Sequence, residues 1–192
     1  MTIPTITPKT IADILNQADC LHSADEVQTA LDEMGVAITE KLQHKNPIIL
    51  CVMTGAVIPT GHLLTRLHFP LELDYIHATR YQGTNKGGAL HWQAEPRTSL
   101  KDRVVLIVDD ILDGGLTLQA IRGYCLEKGA SEVYTAVMVD KPRTREPGVN
   151  LTPDFIGVTT ENRYLFGFGL DYHNYLRNVP GIYAVGKGHE VE

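Results

Sequence analysis

The chain of 192 residues has no surplus of positive charge, few cysteines and no long apolar run. Each shortage excludes something. With 17 Lys and Arg against 23 Asp and Glu, the formal net charge is -6. A nucleic-acid backbone attracts clustered positive charge, so no nucleic-acid partner is expected and a gene-regulator reading is weakened. Cys20, Cys51 and Cys125 are odd in number, scattered and without metal-ligand spacing. They are read as reduced thiols in a cytosolic setting, each packing in the core. His62, His68, His91, His173 and His189 form no metal-ligand pattern either. No apolar run approaches the ~20 residues that span a bilayer. The opening residues lack a basic start followed by an apolar stretch, so no signal or transit peptide is expected. The expectation is a cytoplasmic protein without membrane association, long enough for one substantial core and short for two full domains.

What is present centres on one stretch. Val104 to Val108 are five consecutive aliphatic residues, four of them β-branched, the pattern of a strand buried on both faces of a parallel sheet. Asp109 and Asp110 end the run. Unpartnered carboxylates do not continue into an apolar core, so the chain is expected to emerge there. After Ile111 and Leu112 come Asp113, Gly114, Gly115, Leu116 and Thr117, then apolar positions at helical spacing, Leu118, Ile121, Cys125 and Leu126. A strand, a glycine turn and a helix N-terminus make an anion site, because glycines admit close backbone approach and the first helical turn offers unpaired N–H donors. Three aspartates beside a phosphate would repel it unless they grip sugar hydroxyls, hold magnesium or move a proton. Together these needs describe a phosphorylated sugar bound with its metal. No Gly-Lys-Ser/Thr follows the glycines, and Gly-x-Gly-x-x-Gly is absent. The bland alternative is an ordinary βα turn with an aspartate cap. Asp109, Asp110, Asp113 and Thr117 at one strand end favour the functional reading.

The stretch Val108-Asp-Asp-Ile-Leu-Asp-Gly-Gly-Leu-Thr117 resembles the phosphoribosyl pyrophosphate motif of type I phosphoribosyltransferases. The resemblance implies that Asp109 and Asp110 bind the ribose hydroxyls and, with Asp171, lie at the Mg2+ site. It makes Asp113 the acid/base group facing purine N7, and Gly114, Gly115, Leu116 and Thr117 the holders of the 5′-phosphate. Gly114 stands where many members carry threonine or serine, which leaves the phosphate to main-chain amides and the Thr117 hydroxyl.

The flanking segments fit around this motif. Thr10 to Asn16 and Asp25 to Leu42 have helical spacing; the second places Val27, Leu31, Met34, Ile38 and Leu42 on one face, with Ser23 and Glu26 as a capping box. Pro47 to Met53 reads as a buried strand, and Thr54 to Gly61 leads from it into a helix reaching Leu67. This second glycine junction would lie beside the first if the strands are parallel and the crossover right-handed; alone, it reads as a tight turn needing Gly55. In the resemblance, Thr54 and Gly55 hold pyrophosphate through main-chain N–H groups, often beside a cis peptide, here Met53–Thr54 or Thr54–Gly55. Leu71 to His77 alternates as a strand does. Residues 78–90 are polar and glycine-rich and read as a lid, or as a solvated hairpin tip, followed by a short strand signal at Leu90 to Trp92. The resemblance puts Arg80 and Tyr81 of this loop against pyrophosphate; Trp92 is read as packing. Glu132 to Val139 is another buried strand, after which Lys141 matches the residue that reads the purine 6-oxo group. Three closing segments, Pro153 to Val158, Tyr164 to Tyr172 and Arg177 to Val185, resemble the hood of hypoxanthine-guanine phosphoribosyltransferases. There Tyr164 would stack on the purine, Leu165 offer its backbone to the base, Asp171 sit near magnesium and Arg177 contact pyrophosphate. Phe168 is read as core.

The expectation is one α/β domain over residues 1–192, a mostly parallel twisted sheet flanked by helices, with its core at about 25–150 and a small hood from 1–24 and 151–192. The implied activity is purine salvage: Mg2+-dependent transfer of phosphoribose from phosphoribosyl pyrophosphate to hypoxanthine or guanine, giving IMP or GMP and pyrophosphate. Alternatives are a xanthine or adenine specificity, or a non-catalytic sensor of phosphoribosyl pyrophosphate or a nucleotide. By analogy, the chain is expected to form a homodimer or homotetramer.

Overall fold

The aliphatic run at Val104 is apolar on both sides, so it needs helices on both faces of its sheet. A computed structural model describes residues 6–80 and 90–186, apart from the side chains of Arg80 and Leu90. Its elements are α1 (Pro8–Gln17), β1 (Asp19–His22), α2 (Ala24–Leu42), β2 (Ile48–Val52), α3 (Val57–Leu64), β3 (Glu72–Arg80) and β4 (Leu90–Ala94). They continue with β5 (Val104–Leu112), α4 (Leu116–Glu127), β6 (Glu132–Asp140), β7 (Phe155–Thr159), β8 (Leu165–Phe166) and β9 (Ile182–Ala184). The main sheet has the order β4-β3-β2-β5-β6-β7. All its neighbours run parallel except β4, which returns antiparallel to β3. A second, antiparallel sheet in the order β1-β9-β8 joins the two ends of the chain.

Period-two alternation divides the strands between two cores. On one face Ile49, Leu106 and Val108 pack with Val27, Leu31, Met34, Ile38 and Leu42 of α2 and Leu63 of α3. On the other, Ile48, Leu50, Val105 and Ile107 meet Leu118, Ile121 and Cys125 of α4. The α2 helix starts at the expected capping box, with the Glu26 amide donating to Ser23 Oγ at 3.3 Å and the Ser23 amide to Glu26 Oε2 at 2.7 Å. Trp92 packs as expected, its ring 4.7 Å from that of Tyr124 on α4.

Several boundaries differ from the sequence reading. The β5 strand does not end at Asp109: its ladder with β6 continues through Ile111–Val139 and Leu112–Asp140, because backbone pairing is indifferent to side-chain polarity. The β3 strand runs on through Ala78, Thr79 and Arg80, which pair with Trp92, His91 and Leu90; the polar loop therefore begins later than Ala78. Residues 81–89, with Tyr81 and the proposed lid contact, lie outside the described residues, as does the Arg80 side chain. The α3 helix stops at Leu64 and gives way to a turn closed by Leu67 N–H donating to Leu64 O. Leu126 is exposed, since Cys125 takes the inward position beside it. Cys51 and Cys125 are buried, but Cys20 is exposed on the short β1 strand. The carboxyl-terminal stretch divides: β7 extends the main sheet, and only from Leu165 onward does it build the small one. Among the described residues no helix is long and apolar enough to cross a membrane.

Replacing Ser23 with Ala removes the side-chain half of the α2 cap. It is expected to cost ~1 kcal/mol and to lower Tm by roughly 2–4 °C in a thermal melt.

Candidate active site

The crossover after β2 leads toward β3, and the one after β5 leads the opposite way, toward β6. Between β2 and β5 the strand order reverses, and the carboxyl edge at such a point leaves a crevice for ligands. Both glycine junctions open there. At the β5 junction, Gly115 has a left-handed φ of 84° and starts α4 without a side-chain cap. A Cβ at Gly115 would press on Val149 and Leu112. The first-turn amides of α4, from Leu116 and Thr117, have no intrahelical acceptor. At the β2 junction the Met53–Thr54 peptide is cis, the first of the two positions expected. Thr54 is exposed and Gly55 buried. Gly55 lies so close to Asp110 that a methyl group there would coincide with the carboxylate.

Burial governs the acidic pair. Asp109 is only 8% exposed, and its Oδ1 accepts from the Asp110 amide at 2.9 Å. Desolvation pushes the Asp109 carboxyl well above the usual range, and the charge of Asp110 adds to the rise. Asp110 is also raised by burial, though its contact with Asp109 and the nearby Arg177 guanidinium oppose the shift. Arg177 comes from the small sheet's side: Nη1 donates to Gly169 O at 2.6 Å, Nη2 lies 2.7 Å from Asp171 Oδ1, and Nη1 is 3.9 Å from Asp110 Oδ2.

The cleft between the sheets is lined by Asp110, Asp113, Lys141, Tyr164, Leu165 and Asp171. Lys141 is buried, and its Nζ donates to Asp113 Oδ2 at 3.0 Å; an isolated lysine would ordinarily be solvated. Tyr164 is half-buried and meets Tyr172 edge-on at 5.7 Å. Its phenol is pushed up by burial and by the charge of Asp171. Phe168 is core, as expected.

Six of the anticipated residues thus share one cleft. Asp109 lies behind Asp110, Gly55 and Arg177 touch the acidic pair, and Gly114 to Thr117 follow directly from Asp113. Arg145 was missed. Its guanidinium donates to the carbonyls of Leu112, Asp113 and Lys141 and to the Asp140 carboxylate. The signal was there in Asp140, an acid inside an apolar strand, which needs a cation within a turn. Ile111 and Leu170 also line the cleft. Among the described residues no group of three or more His, Cys, Asp or Glu is arranged to hold a metal by itself.

Fold and site together define a class: an α/β protein with an aspartate- and lysine-lined cleft at the switch point of its sheet. The phosphoribosyl transferase domain model matches residues 18–173. A hypoxanthine-guanine-xanthine phosphoribosyltransferase of Tritrichomonas foetus is 37% identical over 84% of this chain and 88% of its own length. A hypoxanthine-guanine phosphoribosyltransferase of Lactococcus lactis is 34% identical over 84% and 87%. Among solved structures, a hypoxanthine-guanine-xanthine phosphoribosyltransferase superposes with a TM-score of 0.81 at 31% identity, covering 90% of this chain and 99% of that one. A hypoxanthine phosphoribosyltransferase of Staphylococcus aureus shares the fold, with a TM-score of 0.84 at 24% identity over 90% and 94%. The chain belongs to the phosphoribosyltransferase family.

With its folded carboxyl held above the ordinary value, Asp109 favours the fold only where it is protonated. That contribution is lost as pH rises from the ordinary carboxylate range through the folded value, leaving a penalty at neutral pH. Asp109→Asn is therefore expected to raise Tm of the ligand-free protein at neutral pH by roughly 2–4 °C, a gain that vanishes toward about pH 3. Melts across pH check it.

Proposed function

We propose that this chain transfers the 5-phosphoribosyl group of phosphoribosyl pyrophosphate to hypoxanthine or guanine, releasing pyrophosphate and the 5′-mononucleotide in purine salvage. The observation that carries this reading is the buried Lys141 ammonium 3.0 Å from the Asp113 carboxylate at the wall of the cleft. A donor and an acceptor so placed match the 6-oxo oxygen and the N7 proton on one edge of a 6-oxopurine, and a donor disfavours the 6-amino group of adenine. Tyr164 supplies the flat aromatic face a base requires, and Leu165 offers its backbone to the base edge.

The remaining residues divide the sugar phosphate among them. Asp109 and Asp110 accept from the ribose hydroxyls. The amides of Gly114 to Thr117 and the Thr117 hydroxyl hold the 5′-phosphate. Main-chain N–H groups at Thr54 and Gly55, with the Arg177 guanidinium, face pyrophosphate. As the purine nitrogen attacks the anomeric carbon, Asp113 takes the N7 proton while Lys141 holds the 6-oxo oxygen. Magnesium is satisfied by one or two protein carboxylates with substrate oxygens and water, so the cleft-facing Asp110 and Asp171 fit it without a third acid. When bound, it offsets the charge of the departing pyrophosphate.

We place the enzyme in the cytoplasm as a homodimer or homotetramer. Leu73 and Tyr75, exposed by 55% and 41% on the outer face of β3, are apolar surface that self-association would cover.

A spectrophotometric assay with hypoxanthine, guanine, xanthine and adenine, each with magnesium and phosphoribosyl pyrophosphate, tests the reading. Turnover with the first two bases is expected. Ligand binding with no turnover on any base would establish the sensor instead. Asp113→Asn is expected to lower kcat by roughly 10²- to 10⁴-fold while calorimetry shows phosphoribosyl pyrophosphate still bound; full turnover in the variant would remove Asp113 from its role.

A further inference from the structure

Arg145 has no part in the roles assigned above, yet its side chain is only 17% exposed. One nitrogen, Nη1, donates to the carbonyl oxygens of Leu112 at 2.7 Å, Asp113 at 2.7 Å and Lys141 at 3.0 Å. The other, Nη2, donates to the carboxylate of Asp140, whose side chain is 9% exposed. The three carbonyls belong to two different connections, the one leaving β5 and the one leaving β6. Between those connections stands the Lys141–Asp113 pair, 3.0 Å apart. The Asp113 side chain is 47% exposed, so packing does not hold it; its place is set by Lys141 and by the backbone that carries it.

We propose that Arg145 is a positioning residue for the transfer reaction. It pins the backbone on both sides of the Lys141–Asp113 pair, so that the group taking the N7 proton and the group holding the 6-oxo oxygen keep a fixed separation. The proposal rests on the reading of the cleft as a 6-oxopurine site. A rigid, planar, permanently charged fork is what the geometry requires: one arm meets several converging carbonyls while the other is held by a buried acid. Asp140 orients the fork and neutralises it in a place where an unpaired cation would be costly. A lysine at position 145 carries its three donors on one nitrogen, without the reach of the two-armed fork. It cannot engage the carboxylate and the carbonyls of both connections at once. Small displacements of reacting groups cost rate steeply, even when caused by residues outside the chemistry.

The test compares R145A, R145K and D140N with the wild type, with thermal melts as the control for folding. In R145A, kcat with hypoxanthine is expected to fall roughly tenfold to a hundredfold. Phosphoribosyl pyrophosphate, titrated without base, should keep its Kd within about threefold, since the guanidinium bonds no carbonyl of Gly114 to Thr117 and only the Arg145 Cδ lies near Gly115. Millimolar guanidinium ion should restore part of kcat to R145A and none to R145K, where the lysine fills the space; a stabilising residue with no positioning role would show no such rescue. Unchanged kcat in folded R145A, or equal losses in kcat and phosphoribosyl pyrophosphate binding, would overturn the proposal. If R145A does not fold, D140N decides: a loss confined to kcat supports it, and wild-type kcat refutes it. If the wild type transfers to no base, the function proposed above fails by itself. The crystal structure of R145A then judges the clamp, which stands if Lys141 and Asp113 have separated and falls if they remain at 3.0 Å.

Discussion

Two neighbouring carboxylates largely withdrawn from water near the carboxyl end of β5 are the constraint to which the rest of the molecule answers. Burying Asp109 and Asp110 together is unfavourable, as the upward displacement of both carboxyls shows. The fold tolerates it because the strand that carries them is anchored on both faces and paired on both sides. Stability is surrendered beside the cleft, a common trade where a fold carries a site.

The contacts around the pair follow from that concession. Gly55 must lack a side chain because Asp110 occupies the space one would need. Arg177 reaches across from the small sheet to Asp171 and toward Asp110, giving the pair the only kind of relief compatible with an open cleft: a cation that can also meet a phosphate. The first and last parts of the chain meet in the β1-β9-β8 sheet, and this sheet brings Arg177, Asp171 and Tyr164 over the parallel strands.

Much of this was legible in the residues. The double-faced run Val104 to Val108 announced a central parallel strand, and the order of Asp109, Asp110, Asp113 and Gly115 marked the strand end at which the cleft opens. The Ser23–Glu26 cap was visible because capping is local. What escaped depends on distant partners. The ladder with β6 carries β5 past its charges to Leu112, and no periodicity within β5 itself reveals that. Arg145 was hidden in part for the same reason: Asp140 pointed to a cation, but the other acceptors are carbonyl oxygens, which every residue possesses and no motif records. Cys20 was misjudged because four residues of β1 were too few to reveal a face open to solvent.

The packing of Trp92 on Tyr124 also bears on how the molecule can be observed. The chain has a single tryptophan, and its ring rests on the helix that begins at Gly115. Selective excitation of the indole therefore gives light from one address, wedged between the returning arm of the hairpin and that helix. Any rearrangement reaching either neighbour alters the surroundings of this natural fluorophore, so the protein comes with its own optical gauge and requires no attached dye.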